Sequence, residues 1–510
     1  MLKNLDLSSY KTIIFAALVV RLIAAIFSQG YGMHDDHFLI VEASGSWVDG
    51  FDYNKWLPWT EGNRGGPEGH TFTYVGLNYL LFSLLKGIGI SDPKTLMLIN
   101  RLIHALFSLL VVKYGFKITE RLSNRKNAVM VGWFLALLWL WPFLSVRNLA
   151  EIAPIPFILW GMWLLVKRDP QFEDSDSLRE TKTPLLYFFY AGMLLGMATS
   201  FRYQIGVFAI GVATYYFFRW KFREFALISA GVVLVFCLTQ GVVDYAIWGY
   251  PFAELWGYVT YNMDEGTRYI PNNNYAMYFM VLIGTFLPVG LLLGIGFFRS
   301  FRKYLILFLP VIFFILFHTF YPSKQERFIM TVLPMFCMLG VMGYEMLREK
   351  KGWNNAWKYL NTVFWILNIP LLLAASVTYS KKSRVEAMYF IYEKQLKPTR
   401  VLFELTGETD YSMAPKFYAQ HWDMAITLRD DTTQPPNVAP HLKYDLIFFY
   451  DEYNLEERRA QYDTIYPNMT LGKVCEPSYV DRLLRWLNPR NKNEYIEVWE
   501  THEVGGVYSE

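Results

Sequence analysis

The sequence predicts a polytopic, mainly α membrane protein: a transmembrane helical bundle followed by a small C-terminal α/β extramembrane domain. Three observations predict it. Of 510 residues, 53% are hydrophobic and only 18% charged, where soluble domains carry about 25% charged residues. About eleven stretches suit a hydrocarbon core that needs roughly 20 apolar residues per helix. The basic residues between those stretches collect in alternate loops, as cytoplasmic loops do.

The expected spans run approximately over 11–29, 96–117, 127–146, 150–166, 185–201, 203–218, 225–247, 276–298, 303–320, 328–347 and 358–379. In the first, the apolar run from Ile13 to Phe27 follows Lys3 and Lys11 and has some features of a signal peptide. No small-residue cleavage site follows it and the chain stays apolar, so it reads as a retained span. Tyr74–Ile90 is interrupted by Gly76, Gly87 and Gly89 and reads as an interfacial or half-embedded helix. As a full span it would break the alternation of loops.

One set of loops carries Lys117/Arg121/Arg125/Lys126, Lys167/Arg168/Arg179/Lys182, Arg219/Lys221/Arg223, Arg299/Arg302/Lys303 and Arg348/Lys350/Lys351/Lys358. The other set, 30–74, 147–151, 249–274 and 321–327, is richer in acids and aromatics. The rule places the N-terminus inside, with the first large loop (30–95) and the C-terminal region outside. Residues 1–380 are therefore expected to form the membrane domain. The outer face would be the periplasmic or exterior side of a plasma (inner) membrane, or the lumenal side of the endoplasmic reticulum.

Polarity rises from Lys381 onward. Within 381–510, Val401–Glu404, Tyr444–Tyr450 and Tyr495–Glu500 read as strands, and Leu455–Tyr462 and Val480–Leu487 as helices. Asn468-Met-Thr is a glycosylation sequon that matters only in a eukaryotic host. A net charge of +3 gives no nucleic-acid signal, and three cysteines make no disulfide framework.

Ionisable side chains near membrane depth are costly unless they pair or function, and on the outer side they gather. The first outer loop opens with Gly32-Met-His-Asp-Asp-His-Phe, and Glu42 follows. Asp35 and Asp36 are a candidate base and orienting partner. The alternative is that they cap a helix starting near His37. A metal site built from His34, Asp35, Asp36 and His37 is a third reading, weakened because adjacent ligands rarely wrap one ion.

The outer cations are Arg64, Arg147 beside Asn148 and Glu151, Arg202 in a very short turn, and Lys324 and Arg327 after Tyr321-Pro322; His318 lies one turn inside the preceding span. Cations aimed at one cavity suit a phosphate or pyrophosphate. Singly, each could instead snorkel toward lipid headgroups. Trp47, Tyr53, Trp56, Trp59, Tyr258, Tyr261 and Tyr269 read either as an interfacial aromatic belt or as a stacking wall for sugar rings.

In this order and sidedness the residues resemble the C-type glycosyltransferase superfamily, and most of all the family 22 mannosyltransferases. That family shows a His-Pro-Asp-Glu-x-Phe-type sequence after the first span; here Met33-His-Asp-Asp-His-Phe38 fills the place, with Glu42 where a further Glu often stands. A Thr-Trp-Glu…Arg-Ser region survives as a loose echo in Trp56, Trp59 and Arg64. Asn148-Leu-Ala-Glu151 matches an Asn-x-x-Glu, and Arg202 matches an Arg in the tight outer turn. Ser323-Lys-Gln-Glu-Arg-Phe328 keeps the Lys, Arg and Phe of His-Lys-Glu-x-Arg-Phe and replaces its His and its Glu. The resemblance covers roughly residues 10 to 350.

It implies an inverting sugar transfer from a polyprenyl- or dolichyl-phosphate sugar, without a metal, to a glycan or glycolipid acceptor. Asp35 is then the expected base with Asp36 second, and Arg202, Lys324, Arg327 and Arg64 are expected on the donor phosphate. His34, His37, Glu42, Arg147, Asn148, Glu151 and His318 are expected around the substrates. The rival from another class is a transporter or flippase, which would call for repeats and charges near the bilayer centre.

Overall fold

The computed structural model describes residues 6–63, 65–167, 185–264, 266–269, 271–406, 413–430, 443–487 and 495–501. Arg168, Arg179 and Lys182 of the second basic loop lie outside the described residues. The chain divides into two compact units. One comprises Met1–Ala25, Lys55–Leu77 and Arg101–Ser376; the other comprises Ile26–Asn54, Asn78–Asn100 and Val377–Glu510.

The first unit is a helical bundle. Among the described residues, five helices are long and apolar enough to cross a membrane: Tyr10–Phe27, Pro93–Leu122, Phe222–Trp248, Glu326–Arg348 and Lys351–Ser376. Five shorter apolar helices, Ile155–Lys167, Leu186–Phe201, Ile205–Phe218, Gly290–Arg299 and Leu305–Phe320, lie within other expected spans.

Two expected spans are broken. The stretch 276–298 divides into Met277–Gly284 and Gly290–Arg299, with Pro288 between them unable to donate a backbone hydrogen bond. The stretch 127–146 divides into Arg125–Leu137 and Leu140–Leu144. Freed backbone groups inside a bilayer must find other partners, and here they do. Buried Arg21 donates to the carbonyls of Leu135 and Ala136 at 3.1 Å each and to Ser108 Oγ at 2.8 Å. Asn368 donates to the Leu137 carbonyl at 2.7 Å and accepts from Trp139 N–H at 2.8 Å. A buried arginine in the first span is therefore structural.

Lipid removes most of the hydrophobic drive between helices, so close packing of small residues holds them. A Cβ on Gly192 would meet the Ile228 carbonyl, and one on Gly231 the Phe189 carbonyl. These glycines join Leu186–Phe201 to Phe222–Phe236. Gly296 and Gly343 likewise join Gly290–Arg299 to Leu333–Arg348, each lying against the other's helix backbone.

The second unit is built on a five-stranded sheet: β1 (Arg400–Glu404), β2 (Ala425–Arg429), β3 (Leu446–Tyr450), β4 (Thr470–Cys475) and β5 (Ile496–Glu500), in the order β2-β1-β3-β5-β4. β1 runs parallel to β2 and β3, and β5 pairs antiparallel with β3 and β4. The three expected strands are β1, β3 and β5. The expected helices appear as Leu455–Ala460 and Tyr479–Leu487.

All of β3 is buried, because both sheet faces are covered. One face sets Val401, Phe403 and Phe448 against Phe417, Met388 and Phe390. The other sets Leu402, Ile447 and Phe449 against Tyr462 and Tyr466. Parts of the first outer loop belong to this unit. Asp49 accepts from Trp422 Nε1 at 2.7 Å and from Lys86 Nζ at 2.6 Å, and Lys94 pairs with Glu386 at 2.7 Å.

Candidate active site

The predicted carboxylates lie in the second unit, on a run of helical turns: His34–Asp36, a π-helical turn His37–Glu42, and Ala43–Val48. A π-turn inserts a residue and re-aims the side chains around it; such turns are frequent at functional sites. The helix begins at His34 rather than His37, and the Asp36 carboxylate makes no cap bond to the π-turn. Both aspartates therefore sit in the first helical turn, where negative charge suits the helix N-terminus. Asp36 is buried and Asp35 half-buried.

His37 and Glu42 are both buried and pair with each other, Nε2 to Oε1, at 3.1 Å. The other Glu42 oxygen accepts from Phe417 N–H at 2.8 Å. His37 also stacks between Tyr31, at 4.4 Å, and Tyr418, at 5.9 Å. Burial pushes the Glu42 carboxyl well above the usual carboxylate range, against the pull of the Phe417 hydrogen bond and the Lys416 charge. In the neutral form it can donate to His37 while still accepting from Phe417. These contacts fix the segment that carries Asp35 and Asp36 to the turn at 416–418. Arg64 and the side chains of His34 and Tyr269 lie outside the described residues.

The predicted cations lie in the first unit, and three predicted residues meet there. Glu151, only 1% exposed, is 2.8 Å from Arg202 NH1 and 3.5 Å from Arg327 Nε. Both guanidiniums lie over the Phe328 ring, 4.7 Å away for Arg202 and 5.6 Å for Arg327. The cluster follows from local structure. The helix Leu186–Phe201 ends at Arg202, whose extended backbone (φ −156°) opens the turn to the next helix at Ile205. Arg327 and Phe328 sit at the start of a tight 3-10 turn, Glu326–Val332. Thr331 Oγ1 donates to the Glu151 carbonyl at 2.9 Å, joining that turn to the 147–151 segment.

The His318 ring reaches the same place, 6.3 Å from that of Phe328. Its Nδ1 is 2.9 Å from the Phe314 carbonyl and so carries the hydrogen. Nε2 is buried with no hydrogen-bond partner among the described residues, which leaves it an acceptor. Tyr258 adds a phenol. Burial pushes it up to about 12, while the Arg202 guanidinium pulls it down.

Other predicted cations have different partners. Lys324 donates to the Asn272 carbonyl and lies 5.4 Å from the Tyr275 ring centre. Burial holds its ammonium below the usual lysine range. Arg147 donates to the Phe143 carbonyl at 2.8 Å and stacks on the Phe143 ring at 3.5 Å. Asn148 beside it is buried.

Sequence reasoning missed Glu254. Its buried carboxylate accepts four hydrogen bonds: from Trp56 and Trp248 Nε1 at 2.9 Å each, Gly69 N at 2.8 Å and His70 N at 3.0 Å. It fastens residues 55–70 of the outer loop to the helix Ala253–Met263, which carries Tyr258. Burial pushes the carboxyl up to about 7, against the downward pull of those four donors. Trp56 is fully buried, so it forms no sugar-stacking wall; Trp59 is 67% exposed. A lone Glu in an aromatic loop carries no motif that could have marked it.

A family model for the Alg9-like mannosyltransferase family matches residues 12–412. A search of curated proteins finds no match. Among solved structures, ArnT from Cupriavidus metallidurans bound to undecaprenyl phosphate has the same fold, with a TM-score of 0.58 at 13% identity over 96% of this chain and 97% of that one. The Archaeoglobus fulgidus oligosaccharyltransferase in complex with Zn and sulfate gives a TM-score of 0.52 at 10% identity, over 88% of this chain and 69% of that one.

Proposed function

Since the chain belongs to the Alg9-like mannosyltransferase family and is an integral membrane glycosyltransferase, we propose that it moves mannose from a polyprenyl-phosphate donor to a hydroxyl of a glycan or glycolipid, on the outer membrane face. The cluster of Arg202, Arg327 and Glu151 carries this reading. Two guanidiniums held at one buried point are what a lipid-linked phosphate needs, since they present planar donors to its oxygens. The similarity in fold to ArnT, solved with undecaprenyl phosphate, supports the same class of lipid. The family match favours glycosyl transfer over the transporter or flippase reading.

The reaction is an inverting displacement. The acceptor oxygen attacks the anomeric carbon, the bond from that carbon to the phosphate oxygen breaks, and its electron pair stays on the phosphate. The acceptor proton passes to a carboxylate. Asp35 takes that role and Asp36 orients it; His37 and Glu42 hold the segment in place. Arg202 and Arg327 stabilise the charge that develops on the leaving phosphate, with Lys324 and Arg64 contributing positive charge. His318 Nε2 accepts from a sugar hydroxyl. Fixed cations make a metal unnecessary in this scheme.

Purified protein in nanodiscs, given a panel of labelled polyprenyl-phosphate sugars and a glycolipid acceptor extract, tests the proposal. Mannose transfer with inversion is expected. Transfer from nucleotide sugars alone, or of no sugar from any lipid donor, overturns it.

A further inference from the structure

We propose that Glu151 is the charge-balancing anion of the donor-phosphate grip, which cuts the advantage the arginine pair would otherwise give the doubly charged lipid monophosphate product over the singly charged sugar phosphodiester. This rests on the donor reading above. The geometry is one carboxylate to two guanidiniums, 2.8 Å and 3.5 Å away. Neither Glu151 side-chain oxygen accepts a hydrogen bond among the described residues, so charge is what links it to the arginines. Its backbone is held through the Thr331 bond, which keeps the carboxylate at the cluster while ligands come and go.

The charges then sum simply. Arg202, Arg327 and Glu151 together carry one net positive charge. A sugar phosphodiester carries one negative charge and neutralises them. Breaking the sugar–phosphate bond leaves a monophosphate with a charge of about −1.5 to −2 at neutral pH. That surplus faces a buried carboxylate, in surroundings where charges act more strongly than in water. The carboxylate repels that surplus, so the product is held less tightly than the arginine pair alone would hold it and leaves sooner. A pair of arginines without the carboxylate would hold the product most tightly of all.

Two non-reacting probes separate the charge states: decaprenyl monophosphate and its methyl ester, a phosphodiester with one charge. Each is measured in nanodiscs as a competitor of a fluorescent polyprenyl-phosphate sugar. In Glu151→Gln both probes should bind more tightly, the monophosphate gaining about ten-fold more than the ester. A purely structural role for Glu151 would weaken both probes alike.

Arg202→Ala is the control for the underlying reading. If it weakens neither probe, the donor-phosphate assignment fails. If it weakens both, but the ratio is unmoved by Glu151→Gln, the assignment stands and the charge-balancing role is wrong.

Discussion

Replacing Glu254 with Gln should destabilise the first unit by several kcal/mol, although the two side chains have the same shape. Four N–H donors converge on the two Glu254 oxygens. Gln offers one oxygen and one NH2, so two of the four donors lose their acceptor whichever way the amide turns. An orphaned buried donor costs about 1–3 kcal/mol, which makes the total roughly 2–6 kcal/mol. Two donors are the indoles of Trp56 and Trp248, so tryptophan emission during unfolding in detergent reports on this site directly. Trp56→Phe removes a single donor and should cost about 1–2 kcal/mol. In the double variant the amide nitrogen can turn toward the missing indole, leaving one orphan instead of two. The double variant should therefore be more stable than the sum of the singles predicts, by at least about 1 kcal/mol. Parental stability in Glu254→Gln, or strict additivity in the cycle, would show that the four donors do not depend on the carboxylate.

Glu254 also sets a pH dependence. Burial pushes its carboxyl up to about 7 in the folded protein, from an ordinary glutamate value of 4.5, so the folded state holds the extra proton between those values. Stability should fall as pH rises through that window, by up to ~3 kcal/mol, and thermal unfolding of Glu254→Gln should lack that slope. Glu42→Ala removes the acceptor of the buried Phe417 N–H and the partner of His37. Hydrogen exchange at residues 416–418 should quicken, about ten-fold for each 1.4 kcal/mol lost; unchanged protection would show that Glu42 does not hold the turn. Gly343→Ala places a methyl against the Gly296 backbone and should cost about 1–3 kcal/mol by overpacking. Gly352→Ala, where a Cβ meets nothing, should leave the melting temperature within about a degree or rise slightly, because alanine favours helix.

Much of the fold was legible because lipid and a covered sheet both write continuous apolar runs. The helix Leu305–Phe320 and strand β3, Leu446–Tyr450, stand out by composition alone. Strands β2 and β4 did not, because each is a sheet edge with largely exposed or half-exposed residues, and their sequences, AITLR and TLGKVC, carry a weaker signal. The break after Leu137 was hidden for another reason. Its compensation comes from Arg21 and Asn368, far away in sequence. Arg202, Arg327 and Glu151 could be named from their places beside the spans, and they meet. That Glu42 would be used by Phe417, 375 residues later, follows from tertiary structure and had no local mark. Glu254 is the same case, with donors drawn from three segments.

In the proposed reaction a carboxylate of the 34–42 turn takes the acceptor proton while Arg202 and Arg327 hold the donor phosphate. The two roles separate in initial rates of mannose transfer by Asp35→Asn and Asp36→Asn, singly and together, measured beside binding of decaprenyl monophosphate. Asp35→Asn should lower transfer by about 10²–10⁴-fold while phosphate binding stays near the parental value. Transfer at the parental rate in the double variant would mean that neither aspartate is the base.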